Sequence, residues 1–92
     1  MKQFVFHGVD RADGADLRAA TRSAHIDYQA GRSNPVGGPL LDADGASCGT
    51  LIIFDAPDLA TAEAFVGGDP YVVAGLFATA TVHEFHAVDW PT

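Results

Sequence analysis

The sequence predicts an α+β protein, one domain over residues 1–92 with element order β-α-β-β-α-β. Such a chain forms a four-stranded antiparallel sheet with two main helices on one face. Two runs, Phe4–Gly8 and Thr50–Phe54, are apolar on both parities, as central strands are. The segment Asn34–Leu41 between them carries two prolines and two glycines, which suits an edge strand. Glycine-terminated helical stretches separate the strands.

Taken in order, Phe4-Val5-Phe6-His7-Gly8 is β-rich, and Asp10 to Gly14 breaks it. Asp13 is placed to cap the next helix, with Asp16 in its electropositive first turn. Ala15 to Ala30 reads as that helix, stopped by Gly31. At the helical period Leu17, Ala20, Thr21, Ala24 and Tyr28 form its core stripe. His25 lies at the stripe's edge beside Arg18 and Arg22, and Ile26 points away as a scattered exposed residue. Asn34–Leu41 is the edge strand or an irregular lip beside one, and Asp42-Ala43-Asp44-Gly45 turns the chain into a hairpin.

Pro57 ends the third strand, and Asp58 caps a short helix, Leu59 to Val66, with Leu59, Ala62, Phe65 and Val66 inward. Gly67-Gly68 stops it. Asp69-Pro70 starts a second short helix with Pro70 at the favoured first position, and Gly75 ends it. Thr79 to Val88 is the last strand, and Trp90-Pro91-Thr92 closes the chain. The pattern is ferredoxin-like, with the first and third strands central and the second at an edge. Two helices cover only one sheet face, so the apolar open face calls for a cover. A second copy packed sheet to sheet supplies it, which makes the expected assembly a homodimer.

A formal charge of −7 argues against nucleic acid and anionic membranes as partners. Four of the five basic residues lie between Arg11 and Arg32, which concentrates positive potential near the first helix. Cys48 is the single cysteine, so no intrachain disulfide forms and a reducing compartment is the simpler setting. With no signal-peptide stretch or transmembrane-length span at hand, the expected location is cytoplasmic.

His25 is the candidate acid/base residue, because imidazole is the side chain suited to proton transfer near neutral pH. Its bland reading is a satisfied residue at a helix edge. Asp69 before Pro70-Tyr71 is a good N-cap, which accounts for the residue type without chemistry. The roles are compatible, since one carboxylate oxygen can cap while the other orients an imidazole. Arg22 is placed to bind an anionic group. His83 and His86 have opposite strand parity, so a metal site would need Glu84, His86 and His7 to meet across strands, with no ligand-spacing motif behind it. No metal or other cofactor is expected. Gly37-Gly38-Pro39 lacks the strand–loop–helix context and the Lys-Ser/Thr of a phosphate loop, and reads instead as a pocket lip or bulge.

Several pieces together resemble the YciI-like (YCII-related) family of the dimeric α+β barrel superfamily. They are Leu17-Arg18 with Arg22-Ser23-Ala24-His25-Ile26-Asp27-Tyr28, Gly38-Pro39-Leu40, Gly45, Gly49-Thr50-Leu51 and Asp69-Pro70-Tyr71-Val72-Val73-Ala74-Gly75-Leu76-Phe77. The resemblance covers nearly the whole chain. It implies a ferredoxin-like protomer, a sheet-to-sheet dimer and a cleft whose His–Asp pair falls on His25 and Asp69. Thr50 stands where the family's pattern leads one to expect serine, a departure that keeps a hydroxyl. Family members are mostly of unknown function. The associated activities are lyase- or isomerase-like steps on small rings, including halide removal from chlorinated aromatics. Muconolactone isomerases and cofactor-free monooxygenases are more distant relatives, by analogy of fold.

The expectation is a small cofactor-independent enzyme acting on a small anionic or phenolic metabolite by elimination or isomerisation. His25 and Asp69 are its catalytic pair, and Arg22, Gly38, Pro39, Thr50 and Tyr71 hold the substrate. The alternative is a non-catalytic small-molecule-binding or accessory dimer using the same cleft. A plainer third reading has the pair only stapling the segment after the second helix to the first.

Overall fold

The computed structural model describes residues 1–32 and 36–91. Asn34 and Pro35 of the expected edge segment, and the closing Thr92, lie outside the described residues. Strand β1 (Lys2–Asp10) leads into helix α1 (Ala15–Gln29), followed by β2 (Val36–Leu41) and β3 (Ser47–Ala56). Helix α2 (Leu59–Gly67), the one-turn α3 (Pro70–Val73) and β4 (Phe77–Phe85) complete the chain. The sheet order is β2-β3-β1-β4 with every neighbouring pair antiparallel, so the first and third strands are central and β2 is an edge. This is the ferredoxin-like arrangement.

The hairpin forms because the Asp42 carboxylate accepts the backbone N–H groups of Asp44 (2.9 Å) and Ala46 (3.0 Å), while Gly45 takes φ +82°. Proline is tolerated in β2 because the strand pairs with β3 alone. Phe4 and Phe6 of β1, Ile52, Phe54 and Ala56 of β3, and Ala62 and Val66 of α2 form the core. The apolar residues of the other parity, Val5, Leu51 and Ile53, are only half-buried, because among the described residues no layer lies over their face.

Helix boundaries follow the sequence, and α2 turns Ala62, Phe65 and Val66 inward as expected. Asp58 caps α2 by accepting the Thr61 backbone N–H at 2.7 Å, which holds its carboxyl below the ordinary range. Leu59, expected inward, is exposed. Gly14, with no side-chain hydrogen bond, is the N-cap of α1, because Asp13 turns to Arg11 at 3.3 Å. Along α1 the inner face is rotated toward Arg18 and His25, and Ala20 and Ala24 are exposed. Leu17, Thr21 and Tyr28 of the expected stripe are half-buried, and beside them α1 turns Arg18 and His25 toward a cleft.

Tyr28 fixes the position of α1. Its hydroxyl donates to the Phe65 carbonyl at 2.7 Å, and its ring stacks on Phe65. A Cβ on Gly68 would lie 2.6 Å from that hydroxyl, so a side chain there would push α1 away. β4 ends at Phe85, leaving His86 and Val88 beyond it. The register sets Glu84 opposite Phe4 on the helix face and His7 opposite Thr81 on the open face. Glu84 and His7 therefore cannot share a metal ion. Among the described residues no helix is long and apolar enough to cross a membrane.

Candidate active site

A cleft of about 520 Å³ lies between the inner face of α1 and the β2–β3 edge of the sheet, with Tyr71 of α3 in its wall. It is built from residues that α1 presents one or two turns apart. Arg18, Arg22, His25 and Gln29 follow an i, i+4, i+7, i+11 pattern and so share a face.

Asp69 is placed by its own sequence. A residue before proline is confined to extended backbone, and Asp69 has φ −64° and ψ 131°. That conformation lets its Oδ1 accept the Tyr71 backbone N–H at 2.8 Å, capping α3. His25 Nδ1 approaches Oδ2 at 2.7 Å and Oδ1 at 3.0 Å, with both side chains largely buried. A carboxylate only accepts, so the shared hydrogen belongs to Nδ1 and the neutral ring carries its lone pair on Nε2. Tyr71 stacks on the imidazole with centroids 4.1 Å apart and planes at 19°. Capping and imidazole orientation thus coexist on one carboxylate.

Arg18 forms the second centre of charge. Its Nε and Nη2 donate to the Asp10 carboxylate at 2.7 and 2.8 Å, and Nη2 also donates to Thr50 Oγ1 at 2.8 Å. The Asp10 hydrogen bond, opposed by desolvation, raises the guanidinium's proton affinity further, so Arg18 stays charged although it is 8% exposed. Its Cζ lies 4.7 Å from the centroid of the Tyr71 ring. Burial pushes the Tyr71 phenol up, with Arg18 and Arg22 pulling the other way. Tyr71 therefore remains a hydrogen-bond donor at neutral pH.

Of the expected site residues, Arg22, His25, Gly38, Pro39, Thr50 and Tyr71 line this cleft, and Asp69 is buried against His25. Arg22 is exposed on its rim and makes no ion pair among the described residues. Pro39 sits opposite Thr50 and Gly38 opposite Leu51 at the sheet lip. A Cβ on Gly38 would meet nothing within 4 Å, so this glycine is not enforced by a close backbone approach. Thr50 is buried with its oxygen held by Arg18, which makes it part of the floor. Ile26 is exposed, as expected, but lines the open cleft rather than pointing away from it. Among the described residues no group of three His, Cys, Asp or Glu side chains is suited to hold a metal.

Three contributors escaped sequence reasoning. Arg18 is placed there only as a neighbour of His25 and Gln29 has no role, although their spacing from His25, seven before and four after, puts them on its face. Asp10 pairs with Arg18 only because β1 runs antiparallel beside β3 and ends at the floor of the cleft. No local signal announces that.

Fold and site together define a class: a ferredoxin-like α+β protomer with a His–Asp pair and two arginines around an open cleft. Residues 2–86 match the YCII-related domain family, and the chain belongs to that family. It is 30% identical to the protein YciI of Escherichia coli O6:H1 and to that of Shigella flexneri, each alignment covering 92% of this chain and 97% of the relative. Among solved structures it is similar to the 5-chloro-2-hydroxyhydroquinone dehydrochlorinase TftG of Burkholderia phenoliruptrix AC1100, in complex with 2,5-dihydroxybenzoquinone. That likeness has a TM-score of 0.86 at 30% identity, covering 91% of this chain and 93% of TftG. Rv0793 of Mycobacterium tuberculosis, 14% identical with a TM-score of 0.56 over 98% of this chain and 97% of its own, shares the fold.

Proposed function

We propose that the protein is a small enzyme needing no cofactor, which removes a proton from a small phenolic or anionic ring compound and expels a leaving group or shifts a double bond. The observation that carries this reading is the His25 Nδ1–Asp69 Oδ2 contact of 2.7 Å in the wall of an open cleft. With Nδ1–H committed to Asp69, Nε2 is the base, and Asp69 stabilises the imidazolium that forms. The rim cation Arg22 draws the anionic group of the substrate, and the apolar lip of Pro39 and Ile52 packs against its ring. The likeness to TftG favours elimination of halide from a hydroxylated chloroaromatic as the first chemistry to test.

We assign the open sheet face to a second copy of the chain. Val5, Leu51 and Ile53 share that face and are left half-covered in one protomer, and the opposing face of an identical sheet would bury them.

The test is to incubate the purified protein with 5-chloro-2-hydroxyhydroquinone and related chlorinated phenols and to follow chloride release. Turnover that falls by roughly 10²–10⁴ in His25→Ala supports the reading. Turnover that persists in His25→Ala, or its absence across the panel while ligands still bind, refutes it and leaves a binding module.

A further inference from the structure

Gln29 is the last residue of α1, one helical turn beyond His25. Its Nε2 donates to Asp69 Oδ2 at 2.8 Å, the same oxygen that His25 Nδ1 approaches at 2.7 Å. The Tyr71 N–H holds the other oxygen at 2.8 Å. Both reaching side chains come from i and i+4 positions of one helix face, so the carboxylate is gripped from α1 twice and from α3 once. We propose that Gln29 is a positioning residue for the His25–Asp69 pair, fixing the carboxylate plane and dividing Oδ2 between two donors. The inference rests on the reading of His25 and Asp69 as the working pair.

Two physical consequences separate this role from simple adhesion of helices. A carboxylate with three donors fixed in space cannot rotate, so Nδ1 meets the same lone pair at every encounter. An amide N–H on Oδ2 also neutralises part of the negative charge that would otherwise act on the ring. Without it, Asp69 has one fewer competitor for its charge, and the protonated imidazole gains. Loss of the Gln29 donor is therefore expected to favour the imidazolium, and that change is what the experiment reads. Among the described residues, the titratable and charged groups around the ring besides Asp69 are Tyr71, Arg18 and Arg22, and each is retained in the variants below.

The experiment follows the His25 ring in full-length, isotope-labelled protein by NMR across pH, in the unaltered chain and in Gln29→Met and Gln29→Leu. Both variants keep the side chain's bulk and remove its donor. The expected result is a His25 titration midpoint raised by about half to one pH unit in either variant, with Nδ1 still protonated. In the unaltered chain the Gln29 side-chain amide resonances should move with the same midpoint as the ring. Folded variants with an unmoved or lowered midpoint overturn the proposal, even if they melt earlier, because a purely adhesive role predicts that pattern. Should neither variant fold, the Gln29 amide decides: resonances that ignore the His25 titration overturn it. The ring is read directly rather than through turnover. A protein that shows the shifts but turns over nothing would sink the catalytic reading and leave the Gln29–Asp69–His25 coupling standing.

Discussion

Replacing Asp69 by Asn separates the structural duty of this residue from its chemical one. The carbonyl of Asn can still accept the Tyr71 N–H, so the cap on α3 survives. The amide nitrogen takes the place of Oδ2 and faces two donors, His25 Nδ1 and Gln29 Nε2. One conflict is relieved if the imidazole moves its proton to Nε2, which turns Nδ1 into an acceptor. The other donor is left facing a donor in a buried site. One lost hydrogen bond to a charged group, of about 1.5–3 kcal/mol, is thus the expected net cost. For a chain of 92 residues the unfolding entropy is about 0.2 kcal/mol/K, so the melting temperature should fall by roughly 8–15 °C.

The chemical effect is larger. The relocated proton removes the lone pair on Nε2, and a base of the wrong tautomer costs up to about 10⁴ in kcat. Calorimetry and a halide-release assay on the same preparation read both numbers. A variant that melts in the expected range yet turns over within a few-fold of the unaltered chain would show that the pair is a staple. A melting temperature within about 2 °C of the unaltered chain, as expected where Asn keeps the cap and nothing else matters, would show that the Oδ2 contacts carry no weight.

Other outcomes follow from the same geometry. Arg22→Gln should raise KM about tenfold or more with kcat and melting temperature little changed, because Arg22 is exposed and makes no ion pair among the described residues. Arg18→Met should instead destabilise by about 3–5 kcal/mol in urea titration, since it strands the buried Asp10 carboxylate. The Tyr71 phenol is raised in the folded state by burial, so the stability it contributes is intact below the ordinary tyrosine range near pH ~10 and is lost as pH rises through the raised value. Tyr71→Phe should flatten that alkaline loss in melting curves taken above about pH 9. Ile53→Glu, on the open face, should give a monomeric mass by light scattering at micromolar concentration where the unaltered chain gives a dimeric one.

The fold was legible because each clue in the chain acts locally. Doubly apolar runs marked β1 and β3, prolines marked the edge β2, and Asp58, Gly31, Gly45 and Gly75 stopped or started their elements by short-range hydrogen bonding or positive φ. Asp69 was legible for the same reason, since the Asp-Pro step sets its own backbone. What escaped was the orientation of α1. Amphipathic reading assumes that a helix seats its apolar stripe, whereas α1 turns Arg18, His25 and Gln29 inward. That choice is stabilised by Asp10, Thr50 and Asp69, which lie 8, 32 and 44 residues away from their α1 partners Arg18 and His25. Long-range polar satisfaction of this kind leaves no periodic trace. Asp13 fails as a cap for a smaller reason, because Arg11 two residues earlier competes for its carboxylate.

The central claim is that the cleft does chemistry through His25 and does not merely hold a ligand there. The direct measurement is the binding affinity and the turnover of His25→Ala, taken side by side with a compound that the unaltered chain converts. The account predicts affinity within a few-fold of the unaltered protein and turnover reduced by roughly 10²–10⁴. Equal turnover, or affinity and turnover lost together in a folded variant, would contradict it.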